Sequence, residues 1–185
     1  YGKAEGFKGV ETSINGALMD HNGNLWFASI IGVTKYEPGI EQQNEVEPQT
    51  HITSLKLFYQ QTNWEKFTDK TNIHKLPVGL ELQHNQNHLT FGYDALSFTN
   101  PNQVFYQYKL EGLDNKWSPK TRIKEAVYAN IPPGKYTFMV KASNNDGLWN
   151  KTPIKFTFEI SPPFWKTPWF YIITAVALTL IIVFY

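Results

Sequence analysis

Residues 169–185 (WFYIITAVALTLIIVFY) carry no charge, and their only clearly polar side chains are two threonines. At about 1.5 Å per residue, a helix of this stretch is about 26 Å long, close to the roughly 30 Å hydrocarbon core of a bilayer. The polar, strand-patterned chain before it cannot lie in lipid, where open sheets leave backbone groups unpaired. The pattern predicts a water-facing module tethered at its C-terminal side by a transmembrane helix over 164–185. That helix is cut short at Tyr185, with the output across the membrane. A buried core helix would be shorter and carry a polar stripe, and a secretory signal would stand at the N-terminus. Trp165, Lys166 and Trp169 are the aromatic and cationic flank that favours a headgroup boundary.

Other partner classes are constrained by composition. Net charge is +1 with no block of basic residues, which removes the electrostatic case for nucleic acid. There are no cysteines, so disulfides and thiolate metal sites are excluded and stability must come from an apolar core. Ten Tyr, thirteen Phe and six Trp supply that core. With twelve Gly and eleven Pro as punctuation, this usage favours an all-β chain.

Residues 49–160 read as short strands with one dry face each. Residues 51–58 alternate, with Ile52, Ser54, Lys56 and Phe58 on one face and Leu55 and Leu57 on the other. Strand candidates follow at 80–84, 88–94, 104–110, 126–131, 136–143 and 154–160. Leu89, Phe91 and Tyr93 share a face; so do Tyr106, Tyr108 and Leu110, and so do Phe156, Phe158 and Ile160. About seven strands separated by turns such as Pro132-Pro133-Gly134 and Asn144-Asn145-Asp146-Gly147 predict an immunoglobulin- or fibronectin III-like β-sandwich over 49–161. Residues 1–39 differ. Three very short strand candidates, at 16–19, 25–29 and 33–36, surround the turn Asp20-His21-Asn22-Gly23-Asn24 and cannot bury a core alone. Residues 40–48 lie in a polar, acidic, proline-bounded linker.

Specific motifs sharpen this outline. Asp20-x-x-Gly23-Asn24-Leu25-Trp26-Phe27-Ala28-Ser29, followed by Gly32-Val33-x-Lys35-Tyr36, resembles the repeat of two-component-regulator β-propellers. It departs from that repeat at Ala28 and Ser29, where the family prefers Gly and Thr. Residues 49–160 resemble the triple-tyrosine (Y_Y_Y) domain that follows such propellers. The matching residues are Leu89-Thr90-Phe91-x-Tyr93-x-Ala95-Leu96-Ser97-Phe98, then Tyr106-x-Tyr108-x-Leu110-x-Gly112 with Trp117-Ser118. Tyr128, Pro133-Gly134-x-Tyr136-x-Phe138, Ala142-x-Asn144-x-Asp146-Gly147-x-Trp149 and Pro162-Pro163-Phe164-Trp165 complete the set. The resemblance implies the periplasmic sensor region of a bacterial, Bacteroidetes-type two-component regulator: last propeller blade (1–39), linker, sandwich and start of the membrane helix. It also implies a single-pass protein of the inner membrane, a histidine kinase or DNA-binding output, and an oligosaccharide ligand held by an upstream propeller.

Tyr106, Tyr108, Tyr128 and Tyr136 are expected to fill core while their hydroxyls find rim or backbone partners, one of them as a tyrosine corner. Trp117 and Trp149 follow turns, where an indole either plugs the sandwich end or stacks on sugar. Pro162 and Pro163 fix their φ angles and lack amide donors, giving a stiff link before Trp165 that can pass a displacement to the helix. Chemistry finds little footing. His74, His84 and His88 have no carboxylate placed with them as a fourth ligand. Asp20-x-Asn22-x-Asn24 opens like a calcium loop, but the glycine is Gly23 and position twelve is Ile31. Asp94 and Glu111 carry no mark of a hydrolase pair. The expectation is a non-enzymatic signal-transmission module without cofactor or metal, acting as a homodimer through the sandwich. A membrane-anchored carbohydrate-binding or adhesion module is the alternative.

Overall fold

Asp20 organises the first unit. Its Oδ1 accepts the backbone amides of Asn22 (2.9 Å) and Asn24 (3.0 Å), while Oδ2 accepts Asn24 Nδ2 (3.0 Å) and Trp26 Nε1 (2.9 Å). These four donors close the turn between β1 (Thr12–Met19) and β2 (Leu25–Ser29), which pairs antiparallel with β3 (Gly32–Tyr36). This computed structural model describes residues 12–39, 43–68 and 70–184. Residues 1–11 of the expected blade, 40–42 of the expected linker and Tyr185 of the expected helix lie outside the described residues. The chain divides into two units, residues 1–45 and 46–185. In the first, Ile14, Leu18, Ile30 and Val33 are exposed, as expected of three strands with too little surface to bury a core.

The second unit is a pair of four-stranded sheets. One has the order β5 (Gln60–Gln61), β4 (Gln49–Leu57), β7 (Leu89–Leu96), β9 (Glu125–Tyr128). The other has β6 (Leu80–Leu82), β11 (Ile154–Ile160), β10 (Gly134–Ser143), β8 (Phe105–Glu111). All seven strand candidates of the sandwich appear, and the alternating residues of β7, β10 and β11 point into one core. Phe91 and Phe138 stack across it at 4.1 Å and 6°. The β6–β11 pairing is parallel, a departure from the all-antiparallel immunoglobulin arrangement.

Two details correct the reading of residues 51–58. A β-bulge between Ile52 and Ser54 inserts Thr53, so Ile52 and Leu55, expected on opposite faces, both enter the core. Gly92 lies opposite; a Cβ there would stand 2.2 Å from Ser54 Oγ. The strand also ends at Leu57. Phe58 and Tyr59, at φ +48° and +64°, form the two-residue turn to β5. Two adjacent positive φ angles are the mark of a type I′ turn, normally Asn-Gly, and cost a bulky residue about 1–2 kcal/mol each.

The C-terminal helix, α1 (Pro168–Phe184), starts four residues later than expected. Phe164–Lys166 form a single 3-10 turn, because Pro168 forces Thr167 out of the helical region, to ψ 146°. α1 has 17 residues, none buried. Among the described residues, no helix is long and apolar enough to cross a membrane.

Candidate functional site

Strand directions put the two ends of the second unit to separate uses. Strands β4, β8, β9 and β11 run from an N-terminal pole to a C-terminal pole, with β7 and β10 returning. The chain arrives at the N-terminal pole through residues 46–48 and leaves at the C-terminal pole after Ile160, which pairs with Gly134.

The N-terminal pole is clamped by two asparagines. Asn150 Oδ1 accepts the Thr50 hydroxyl (2.6 Å) and the Ala142 amide (2.9 Å), and its Nδ2 donates to Pro48 O (2.7 Å). Asn144 Oδ1 accepts the amides of Asp146 and Leu148, holding the tight loop in which Gly147 has φ +83°, and its Nδ2 donates to Val46 O (3.1 Å). The Lys151 amide donates to Glu47 Oε2 (3.1 Å). Residues 46–48, expected as linker, are thereby tied to the loop between β10 and β11.

The C-terminal pole is held differently. The Ser161 amide donates to Leu82 O (2.8 Å), Pro163 is buried while Pro162 is exposed, and Trp165 packs edge-on against His84 at 5.1 Å. Phe164 packs edge-on against Phe170 of α1 (5.7 Å). Pro163 takes the extended φ −63°, ψ 145°. Six residues, 161–166, thus join the last strand to the helix with contacts on both sides.

Between the poles runs the tyrosine core. Tyr136 Oη donates to Pro132 O four residues upstream (2.8 Å), the geometry of a tyrosine corner, and its ring stacks on Phe158 at 5.5 Å. Tyr128 Oη donates to Asp114 Oδ2 (2.6 Å), the oxygen that also accepts the Leu110 amide (2.8 Å). Tyr106 Oη donates to Asp94 Oδ1 (3.0 Å), which Lys124 approaches at 2.8 Å. Tyr108 packs against Tyr93 (6.0 Å) and edge-on against Tyr128 (6.2 Å). Burial raises the pKa values of Tyr106 and Tyr128, and the carboxylates they donate to add to the shift, so both stay neutral donors. Burial works against the Asp94 carboxylate, but bonds from Lys124, Ala95 and Tyr106 outweigh it and hold its pKa below the usual range. Asp94 and Glu111 belong to different sheets.

Trp117 and Trp149 stand on the outward face of the β8–β10 sheet, outside the buried core cluster. Lys141 Nζ lies 4.6 Å from the Trp117 ring centre and 5.2 Å from that of Trp149, and Lys120 Nζ is 5.6 Å from Trp149. Cations over indole faces are attracted by the ring quadrupole. The stack binds the 113–121 loop and the 144–150 loop to β10.

The other chemistry-bearing side chains are scattered. His74 packs on His51 (5.2 Å), His84 on Trp165, and His88 on Tyr59 (4.4 Å). Among the described residues, no group of three His, Asp or Glu could hold a metal ion. Asp20 spends both oxygens on N–H donors rather than facing a cation. The Trp26 indole bond, then the Asn24 amide bond, hold its pKa down to about 2. Sequence reasoning missed Asn150 and Asp114, whose only signal was their place beside turns, and it weighed Asp94 only against Glu111 and not as the partner of Tyr106, because Asp94 lies within β7.

Residues 97–161 match the Y_Y_Y domain. The match covers β8 to β11 and includes Tyr106, Tyr108, Tyr128 and Tyr136; β4 to β7, which complete the sandwich, precede it. Over 181 residues, 96% of this chain, the sequence is 25% identical to Histidine kinase P4 of Formosa agariphila, whose length it spans by 13%. The fold is similar to a B. thetaiotaomicron extracellular domain of the proposed hybrid two component system BT3049. That comparison gives a TM-score of 0.60 at 30% identity and covers 79% of this chain and 20% of the other. A second extracellular domain from the same organism, of BT4673, shares the fold with a TM-score of 0.56 at 22% identity, over 81% and 20% of the two chains. The chain thus spans 13% of the length of the kinase and 20% of each of the two extracellular domains it matches.

Proposed function

We propose that this chain is the relay segment of a membrane-bound two-component sensor. It receives a displacement at the N-terminal pole of the sandwich and delivers it to α1. The observation that carries this reading is that the chain enters and leaves at opposite poles, each held by specific contacts: Asn144 and Asn150 at one, Ser161, Pro163 and Trp165 at the other. The ten residues of β10 run between them, roughly 33 Å of close-packed sheet. A packed core transmits strain because it does not deform continuously. The likeness to the extracellular domain of BT3049 and to Histidine kinase P4 supports the sensor class.

In this account residues 1–39 are the last blade of a propeller whose upstream blades hold an oligosaccharide. The sandwich works as a homodimer in the periplasm, and α1 begins a single-pass anchor in the inner membrane. The absence of charge from the 17 residues of α1 is what supports lipid as its surroundings. The adhesion alternative is less well supported, because lysine ammonium groups lie over the indoles that would stack on sugar. The test is a full-length receptor with residues 46–161 excised. Ligand binding upstream should persist while ligand-dependent output is lost; retained output would overturn the relay.

A further inference from the structure

The turn between β4 and β5 breaks a strong local rule. Both of its central residues sit in the left-handed region, where Asn-Gly is favoured, yet they are Phe58 and Tyr59. The remaining non-glycine residues with positive φ among the described residues are Asn15, Lys75 and Asn130, none of them aromatic. Backbone strain of this kind persists where the side chains are needed in place. The Phe58 amide donates to His88 O (3.0 Å), and both rings pack on the His88 imidazole. Even so, Phe58 is 47% and Tyr59 65% exposed, so the rings are displayed rather than buried.

Topology says where they are displayed. β4 ends at the C-terminal pole, the end from which α1 departs. His88 lies four residues from His84 in the loop after β6, and His84 packs on Trp165. Two separate contacts, Tyr59–His88 and His84–Trp165, thus place the turn and the helix connector against the same loop, residues 83–88, and in the connector Phe164 and Trp165 are themselves 57% and 44% exposed. Aromatic rings with a polar tip or an amphipathic body are the side chains that favour the headgroup level of a bilayer, and Lys166 adds the cation.

We infer that Phe58 and Tyr59, with Phe164 and Trp165, form an aromatic rim that seats the C-terminal pole of the sandwich in the headgroup layer of a lipid membrane. The rim rests on the reading of α1 as a membrane anchor, since the helix decides which end meets the bilayer. It goes beyond that reading by making the sandwich itself a lipid-contacting part. Two points of contact, the connector and the turn, fix the tilt of the sandwich over the bilayer, where a tether alone would leave it free to swing.

The chain has no cysteines, so single ones can be introduced for labelling. Gln60→Cys beside the turn and Asp146→Cys at the opposite pole are labelled with an environment-sensitive dye. The protein is then reconstituted in phosphatidylethanolamine–phosphatidylglycerol vesicles containing a headgroup-level nitroxide lipid quencher. Strong quenching at position 60 and none at 146 is expected. Replacing the turn with its ideal pair, Phe58→Asn with Tyr59→Gly, should reduce quenching at 60 several-fold while raising the thermal midpoint, because strain is relieved. Loss of stability in that variant would make the rings structural and overturn the inference. So would equal quenching at 60 and 146 in protein that floats with the vesicles. Protein that does not float at all fails the anchor reading, and this one with it.

Discussion

Asn150→Ala removes three hydrogen bonds at once: from the Thr50 hydroxyl at 2.6 Å, from the Ala142 amide at 2.9 Å and to Pro48 O at 2.7 Å. Each is worth about 0.5–1.5 kcal/mol net, and Thr50 is buried, so its hydroxyl would be left without this partner. The summed cost is about 2–4 kcal/mol. Asn150→Asp keeps the two acceptor bonds but turns a carboxylate oxygen toward Pro48 O, so it should cost nearly as much despite equal size. Urea unfolding followed by circular dichroism measures both. A double-mutant cycle with Thr50→Val should return a coupling of about 1 kcal/mol between the incoming strand and the loop after β10. A cost below about 0.5 kcal/mol for Asn150→Ala, the range of an ordinary surface change, would refute the clamp.

Tyr136→Ala should cost about 3–5 kcal/mol, since the ring is 7% exposed and stacks on Phe158, whereas Tyr136→Phe, losing only the corner bond, should cost about 1 kcal/mol in the same assay. Residues 49–160 expressed alone should unfold cooperatively on heating; a broad, non-cooperative melt would show that the sandwich needs its flanks. The pKa of Asp20 is lowered from 3.8 to about 2, so what its carboxylate adds is fully present above pH 3.8 and lost as pH falls through about 2. The Trp26 indole N–H resonance should hold steady above that window and move within it, and Asp20→Asn should shift it at neutral pH. Lys141→Met, which keeps length but removes the charge between two indoles, should cost about 0.5–1 kcal/mol by thermal unfolding.

Period-two alternation made the sandwich legible. Leu89, Phe91 and Tyr93, or Phe156, Phe158 and Ile160, face inward because side chains on a strand have no other choice once one face is dry. Alternation fails where the backbone slips. The bulge at Thr53 swaps faces mid-strand, and nothing in HITSLKLF announces it except Gly92, which lies across the sheet and far away in sequence. Phe58 and Tyr59 escaped notice as a turn because their residue types argue for strand, and tertiary contacts with His88 overrule that preference. The tyrosine residues were legible as core; their partners were not, since Asp94 and Asp114 become partners only when two sheets close. Trp117 and Trp149 were expected as plugs or sugar platforms, and their partner Lys141 reaches them only through the folding of two loops over β10. The helix was legible from its lack of charge, but its start was not: Pro168 moves it from 164 to 168.

The central claim is that rigidity between strand and helix carries the signal, and the joint at Pro162 and Pro163 is where it can be cut. Replacing both with glycine leaves the Ser161–Leu82 bond and the core in place but frees the φ angles between β11 and α1. Output against ligand concentration, measured by kinase or reporter activity in the full-length receptor with and without the double substitution, tests it directly. The account predicts unchanged upstream ligand affinity with reduced amplitude of response. Unchanged amplitude and midpoint would contradict it and leave the two prolines as a strand terminator only.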